Sequence, residues 1–286
     1  MCWGFNGING QLGDGTTEDR LTPANVAGLG SGIVSIAVGH FHTCALTTSG
    51  GVKCWGSNAY GQLGNGTALH PEQHTAVDVA GLSGVVALSA GDTHTCAVTR
   101  QGGVKCWGEN SAGQLGDGTT QRRLAPVDVA GLDSKVMMVS AGSAYTCAVT
   151  TVGAAKCWGD NREGNLGNGT TQARQLTPMD VSGLNTGILQ IAAGAGSTCS
   201  LSTSGGAKCW GLNIFGRLGD GTTQNRLTPV DVIGLANGVV AVSTGYAHTC
   251  ALTSAPGLKC WGASGELGAG NLPVINQPIP VDITGW

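Results

Sequence analysis

One feature outweighs the rest in deciding what this chain can fold into: it repeats itself. The tripeptide Cys-Trp-Gly begins at Cys2, Cys54, Cys106, Cys157, Cys209 and Cys260, in steps of 52, 52, 51, 52 and 51 residues. A second cysteine series falls at Cys44, Cys96, Cys147, Cys199 and Cys250. Gly-x-Leu-Gly starts at Gly10, Gly61, Gly113, Gly164, Gly216 and Gly265. Several markers sharing one period mean a tandem structural unit, because a repeat of this length is one supersecondary element copied along the chain.

Each unit reads as four short strands. In residues 33 to 80, Ile33-Val34-Ser35-Ile36-Ala37 is a compact apolar run ended by Gly39. His42 to Thr47 and Val52 to Trp55 flank the tight turn Ser49-Gly50-Gly51. A long Gly- and Asn-rich loop follows, then Ala76-Val77-Asp78-Val79. Strand signals punctuated by glycine, with no 3.6-residue period, predict an all-β chain. One such sheet cannot bury both faces, but radial stacking lets each cover the next. The prediction is a β-propeller of four-stranded blades of ~51–52 residues, with a β-solenoid as the alternative.

The boundaries fall at 31–82, 83–133, 134–185, 186–236 and 237–286, and residues 1–30 hold only the third and fourth strands of a further blade. That makes five full blades and an N-terminal half blade in a single domain. The expectation is a fragment of a longer propeller. Unpaired edges at the incomplete blade predict self-association, because an open strand edge templates pairing with another chain.

The pattern Val-x-Ile-x-Ala-Gly-x-x-His-Thr-x-Ala-Leu-Thr-x-x-Gly-x-Val-x-x-Trp-Gly-x-Asn-x-x-Gly-Gln-Leu-Gly, carried by Val34 to Gly64 and Val86 to Gly116, resembles the regulator-of-chromosome-condensation repeat. The likeness runs over essentially the whole chain. It implies a propeller, usually of seven blades. Known roles in that family include nucleotide exchange on a small GTPase and capping of a β-lactamase, and neither transfers residue by residue. Light sensing, known in a plant relative, needs clustered extra tryptophans, and this chain adds only Trp286 to the repeated six.

Eleven cysteines leave five pairs and one over. Cys44/Cys54, Cys96/Cys106, Cys147/Cys157, Cys199/Cys209 and Cys250/Cys260 each straddle the hairpin between second and third strands, and period-two alternation puts the two members opposite each other. Facing positions there are about 4.5 Å apart, within disulfide reach. One bridge per blade is predicted, with buried free thiols as the alternative. Cys2 is left without its expected partner. Disulfides imply an oxidising compartment. The expectation is an extracellular or cell-surface protein, with bacterial origin suggested by the family's distribution. No signal peptide is visible in this chain.

Chemistry is sparse. There is no nucleophile elbow, phosphate-binding loop or paired-histidine zinc motif, so no catalytic residue, cofactor or metal is assigned. His42, His94 and His248 share one repeat position with Tyr145 and Ser197, which marks a packing device. The six repeated tryptophans are read as packing between blades. His70 and His74 lie in one loop as a conceivable metal pair, set aside here. Asn65-Gly66-Thr67 and Asn168-Gly169-Thr170 fit the glycosylation pattern, but Asp14, Asp117 and Asp220 hold the same place elsewhere, so turn formation explains them better. The same reading covers the Gly-Asp-Gly-Thr-Thr turns, whose single carboxylate is too little for calcium.

Variation between units concentrates at one end. The loops after the first and third strands emerge together, carrying Phe5, His40, Phe41, Tyr60, Asp92, Arg162, Glu163, Phe215 and Tyr246. Aromatic and charged residues on variable loops over a constant frame predict a recognition face for a protein partner. The net charge of −3 and the lack of a basic tail argue against nucleic acid. No apolar run reaches the roughly 20 residues of a membrane-spanning helix. The favoured function is a non-enzymatic interaction module. The alternative is a secreted hydrolase acting on a polymer or glycan, using acids among Asp92, Glu109, Asp160 and Glu163.

Overall fold

The computed structural model describes residues 1–67, 72–255, 257–267 and 276–283. They form five four-stranded antiparallel sheets and one two-stranded sheet, each in simple up-and-down order. The half sheet pairs Cys2–Gly4 with Arg20–Ala24. The first full blade runs Ile33–Val38, His42–Thr47, Val52–Ser57 and Glu72–Asp78. The same order restarts at Val85, Val136, Ile188 and Val239. Only a 3-10 turn at Ser264–Glu266 departs from β structure among the described residues.

Fourth strands are longer than their apolar signal. The first spans Glu72–Asp78 rather than 76–79. It pairs Glu72 with Ser57 and Val77 with Cys54, with a register shift between. That bulge lets the polar half of the strand join the ladder, and polar residues at a bulge leave no hydrophobic pattern to read.

The first strand of each blade contacts the first strand of the next, so these strands line the axis. Serine and glutamine side chains stitch them together. Ser89 Oγ accepts the Ala141 N–H at 2.9 Å, Ser140 Oγ accepts the Ala193 N–H at 3.0 Å, and the Gln190 amide meets both the C=O and N–H of Val242 at 2.9 and 3.1 Å.

Tryptophan closes each joint. Trp55, Trp107, Trp158, Trp210 and Trp261 are fully buried. Each donates its Nε1–H to a carbonyl of the preceding unit, at Gln11, Gln62, Gln114, Asn165 and Arg217, over 2.8–3.0 Å. The core is therefore several clusters rather than one. Cys96, Val98, Leu115 and Val129 of one blade pack with Val136, Val139 and Trp158 of the next. Trp3 differs: it is 60% exposed.

All five predicted bridges are formed, at Cα separations of 4.0–4.1 Å. The register places each pair directly opposite, as in Cys147 with Cys157. Cys2 is the free cysteine, half-buried, and burial pushes its thiol pKa up.

Candidate recognition face

The loops after the first and third strands are tied together at one end of the molecule. The N–H at the end of each third strand donates to a carbonyl in the loop after the first strand, as Ser57 does to Phe41, Asp160 to Ala144 and Ala263 to Ala247. The face is also sewn from blade to blade. Arg122 Nη1 reaches the Ala59 carbonyl at 3.1 Å and its guanidinium sits 5.9 Å over the Tyr60 ring. Asn225 Nδ2 donates to Glu163 Oε2 at 2.6 Å.

Constant residues hold the loops up. In the unit of Asn110, its Oδ1 accepts the Leu115 N–H while its Nδ2 binds Asp117 and the Thr119 carbonyl. Asp117 in turn takes Thr119 and Arg123. Burial would raise the Asp117 pKa, but the hydrogen bonds from Thr119 and Arg123 outweigh it and hold the carboxyl below its ordinary value. Asp14 and Asp220 are built alike. Asn65 and Asn168 hold the same turn with Thr67 and Thr170. Turn chemistry thus occupies both of these sites.

The shared histidine position also packs between blades. His42 Nε2 meets Thr95 Oγ1 at 2.9 Å and His94 Nε2 meets Thr146 Oγ1 at 2.8 Å, both rings fully buried. Tyr145 at that place donates its OH to the Ser197 carbonyl at 2.7 Å, and burial raises its pKa. His248 breaks the pattern: it is partly exposed and its Nδ1 lies 2.7 Å from Glu266 Oε2. Of the loop pair, His74 is described and His70 lies outside the described residues, as does Trp286.

Three of the nine loop residues converge. His40, Asp92 and Tyr246 line a depression of about 250 Å³ at the axial mouth, floored by glycines from all five blades. Ser143 Oγ donates to Asp92 Oδ2 there. Tyr246 is 74% exposed. Phe41 packs edge-on against His40, ring centroids 4.1 Å apart. Tyr60, Arg162, Glu163 and Phe215 stand on the loops that follow third strands. Phe5 instead lines a second depression, of about 460 Å³, with Met1, Trp3 and Val38 beside the half sheet.

Each of the four acids considered for hydrolysis has a partner of its own: Asp92 takes Ser143, Glu109 the Ser111 N–H, Asp160 Arg162, and Glu163 Asn225. Arg217 escaped sequence reasoning. It replaces the Gln or Asn found at 11, 62, 114 and 165. It is buried, its Nη1 donates to the Tyr246 carbonyl at 2.7 Å, and its guanidinium lies 5.5 Å over Phe215. Burial lowers its pKa, against the pull of Glu266. The one signal for it was a cation at a repeat position held elsewhere by Gln or Asn and, in the last unit, by Glu266.

Residues 1–285 match the model of the RCC1-like domain. The chain belongs to that family. Among RCC1-like relatives, the ultraviolet-B receptor UVR8 of Arabidopsis thaliana is 36% identical over 289 residues, covering 98% of this chain and 64% of UVR8. The human E3 ubiquitin-protein ligase HERC2 is 30% identical over 282 residues, covering 95% of this chain and 6% of HERC2. The chain thus spans less than two thirds of either relative. The crystal structure of human WBSCR16 superposes with a TM-score of 0.78 at 26% identity, over 88% of this chain and 67% of that one. Saccharomyces cerevisiae Prp20p superposes equally well, 0.78 at 22% identity over 88% and 63%, a likeness of fold.

These relatives correct the expected location. UVR8 and HERC2 are intracellular proteins, and the five bridges are the only support for an extracellular one. The physical reason is that cysteines facing across a hairpin at 4.0–4.1 Å report proximity, not compartment. The relatives named are eukaryotic, so they lend nothing to a bacterial origin.

Proposed function

We propose that this RCC1-like chain is a non-enzymatic binding module that seats a protein partner on the loop face. One observation carries the reading: a constant hydrogen-bonded frame lifts variable aromatic and charged side chains, among them His40, Phe41, Tyr60, Asp92, Arg162, Glu163, Phe215 and Tyr246, to one end. Aromatic anchors on rigid supports are what binding hot spots are built from. Phe5 extends this surface toward the half sheet. Prp20p, of the same fold, is described by its binding to Gsp1p and histones, both proteins. Each of the four acids considered for hydrolysis holds its own protein partner, which favours a structural role for them over a hydrolytic one. The blades are taken as 31–82, 83–133, 134–185, 186–236 and 237–286, with 1–30 as a half blade.

The test is affinity capture by the folded chain, followed by titration of the purified partner. Phe41→Ala and Tyr60→Ala are expected to weaken binding by about tenfold or more each, the ordinary yield of an aromatic hot spot. A polymer- or glycan-hydrolysing activity lost on changing Asp160 or Glu163, with folding intact, would overturn the module in favour of the enzyme.

A further inference from the structure

The depression at the axial mouth has an uneven chemistry. Its floor is glycine because nothing larger fits. A Cβ on Gly91 would overlap the Gly142 carbonyl, and one on Gly142 would stand 2.7 Å from the Gly194 carbonyl. Two floor carbonyls are used: Gly194 accepts the Ser143 N–H and Gly245 the Ala195 N–H. Those of Gly91 and Gly142 accept no hydrogen bond among the described residues. They flank Asp92, whose Oδ2 takes Ser143 and whose Oδ1 has no hydrogen bond among the described residues.

Against these acceptors the lining offers no lysine or arginine. The only other titratable side chains there are His40 and Tyr246. The guanidinium that reaches this rim, Arg217, is already bound to the Tyr246 carbonyl. The pocket thus sets a carboxylate, over buried glycines whose carbonyls at 91 and 142 take no hydrogen bond among the described residues, beside an exposed aromatic at the lip, a surface complementary to a cation.

We propose that the axial mouth receives a lysine or arginine side chain projected by the protein partner, with Asp92 as the counter-charge and Tyr246 against the stem. The proposal rests on the loop-face reading above and names the chemistry of what the face binds. About 250 Å³ is ample room for one such side chain.

The probes are Nα-acetyl-lysine methylamide, Nα-acetyl-arginine methylamide and the uncharged isostere Nα-acetyl-norleucine methylamide, each titrated into the isotope-labelled chain and followed by amide NMR. Shifts confined to Gly91, Asp92, Gly142 and Ser143 are expected with a cationic probe and not with norleucine, and comparison of the first two separates ammonium from guanidinium. Asp92→Asn should weaken that binding about tenfold or more, with the rest of the spectrum unchanged. Equal shifts from norleucine, no shifts from either cation, or unaltered binding by Asp92→Asn would overturn the proposal. If Asp92→Asn leaves partner affinity intact while Phe41→Ala removes it, the cation pocket falls and the loop face stands. If both leave it intact, the face itself falls.

Discussion

At the scale of single residues, the inter-blade joints concentrate the energetics. Trp158 is fully buried, donates to the Gln114 carbonyl at 3.0 Å and joins two blades in one cluster. Trp158→Ala should cost about 3–5 kcal/mol in denaturant unfolding, the range for truncating a buried aromatic. The buried histidines set the acid response. Burial lowers the pKa of His42 from 6.5 to about 4 and, with the repulsion of His42, that of His94 from 6.5 to about 3. Both are neutral when folded, and the unfolded chain takes up their protons once the pH drops below 6.5. Stability is therefore full above pH 6.5 and falls as pH drops toward about 4 for His42 and about 3 for His94. His94→Gln should flatten that slope, which urea midpoints measured between neutral pH and pH 4.5 will read.

At the scale of the element, hairpin and turn do separate work. Each bridge closes a ten-residue separation inside one blade, worth about 2.5 kcal/mol by chain entropy. Cys147→Ala with Cys157→Ala should cost about that or somewhat more, since two buried side chains shrink. The turn after each third strand is more exacting. Gly116 has φ 70° and its missing Cβ would lie 2.6 Å from Trp158 Nε1. Gly13, Gly64, Gly167 and Gly219 sit likewise under the tryptophan of the next blade. Gly116→Ala combines left-handed strain with overpacking, and about 2–4 kcal/mol is expected from thermal or urea unfolding. Cys-Trp-Gly and Gly-x-Leu-Gly thus recur at one period because they meet across blade boundaries.

At the scale of the whole molecule, the bridges are all local and cohesion between blades is noncovalent. Reduction is therefore expected to lower stability without separating blades, so circular dichroism should stay β-rich in reductant under native conditions. Beside the half sheet, exposed Trp3, Ile36 and Val38 line one depression together. Exposed apolar patches of this kind drive association. Light scattering should show mass rising with concentration, and Trp3→Ser should reduce it. A mass independent of concentration would count against this.

Fold class, repeat length, blade number and disulfide pairing were legible in the residues alone. Each depends on contacts that recur once per unit, and recurrence makes a contact visible without coordinates. The blade-packing role of His42 and His94 was legible for the same reason. What breaks the period was not: Arg217 turned inward to Tyr246, His248 drawn to Glu266, and Trp3 left in solvent. The convergence of His40, Asp92 and Tyr246 on one mouth also had to await tertiary structure. Residues about 52 and 154 positions apart meet there only because the blades close around an axis, and no local pattern encodes the distance between loops on different blades.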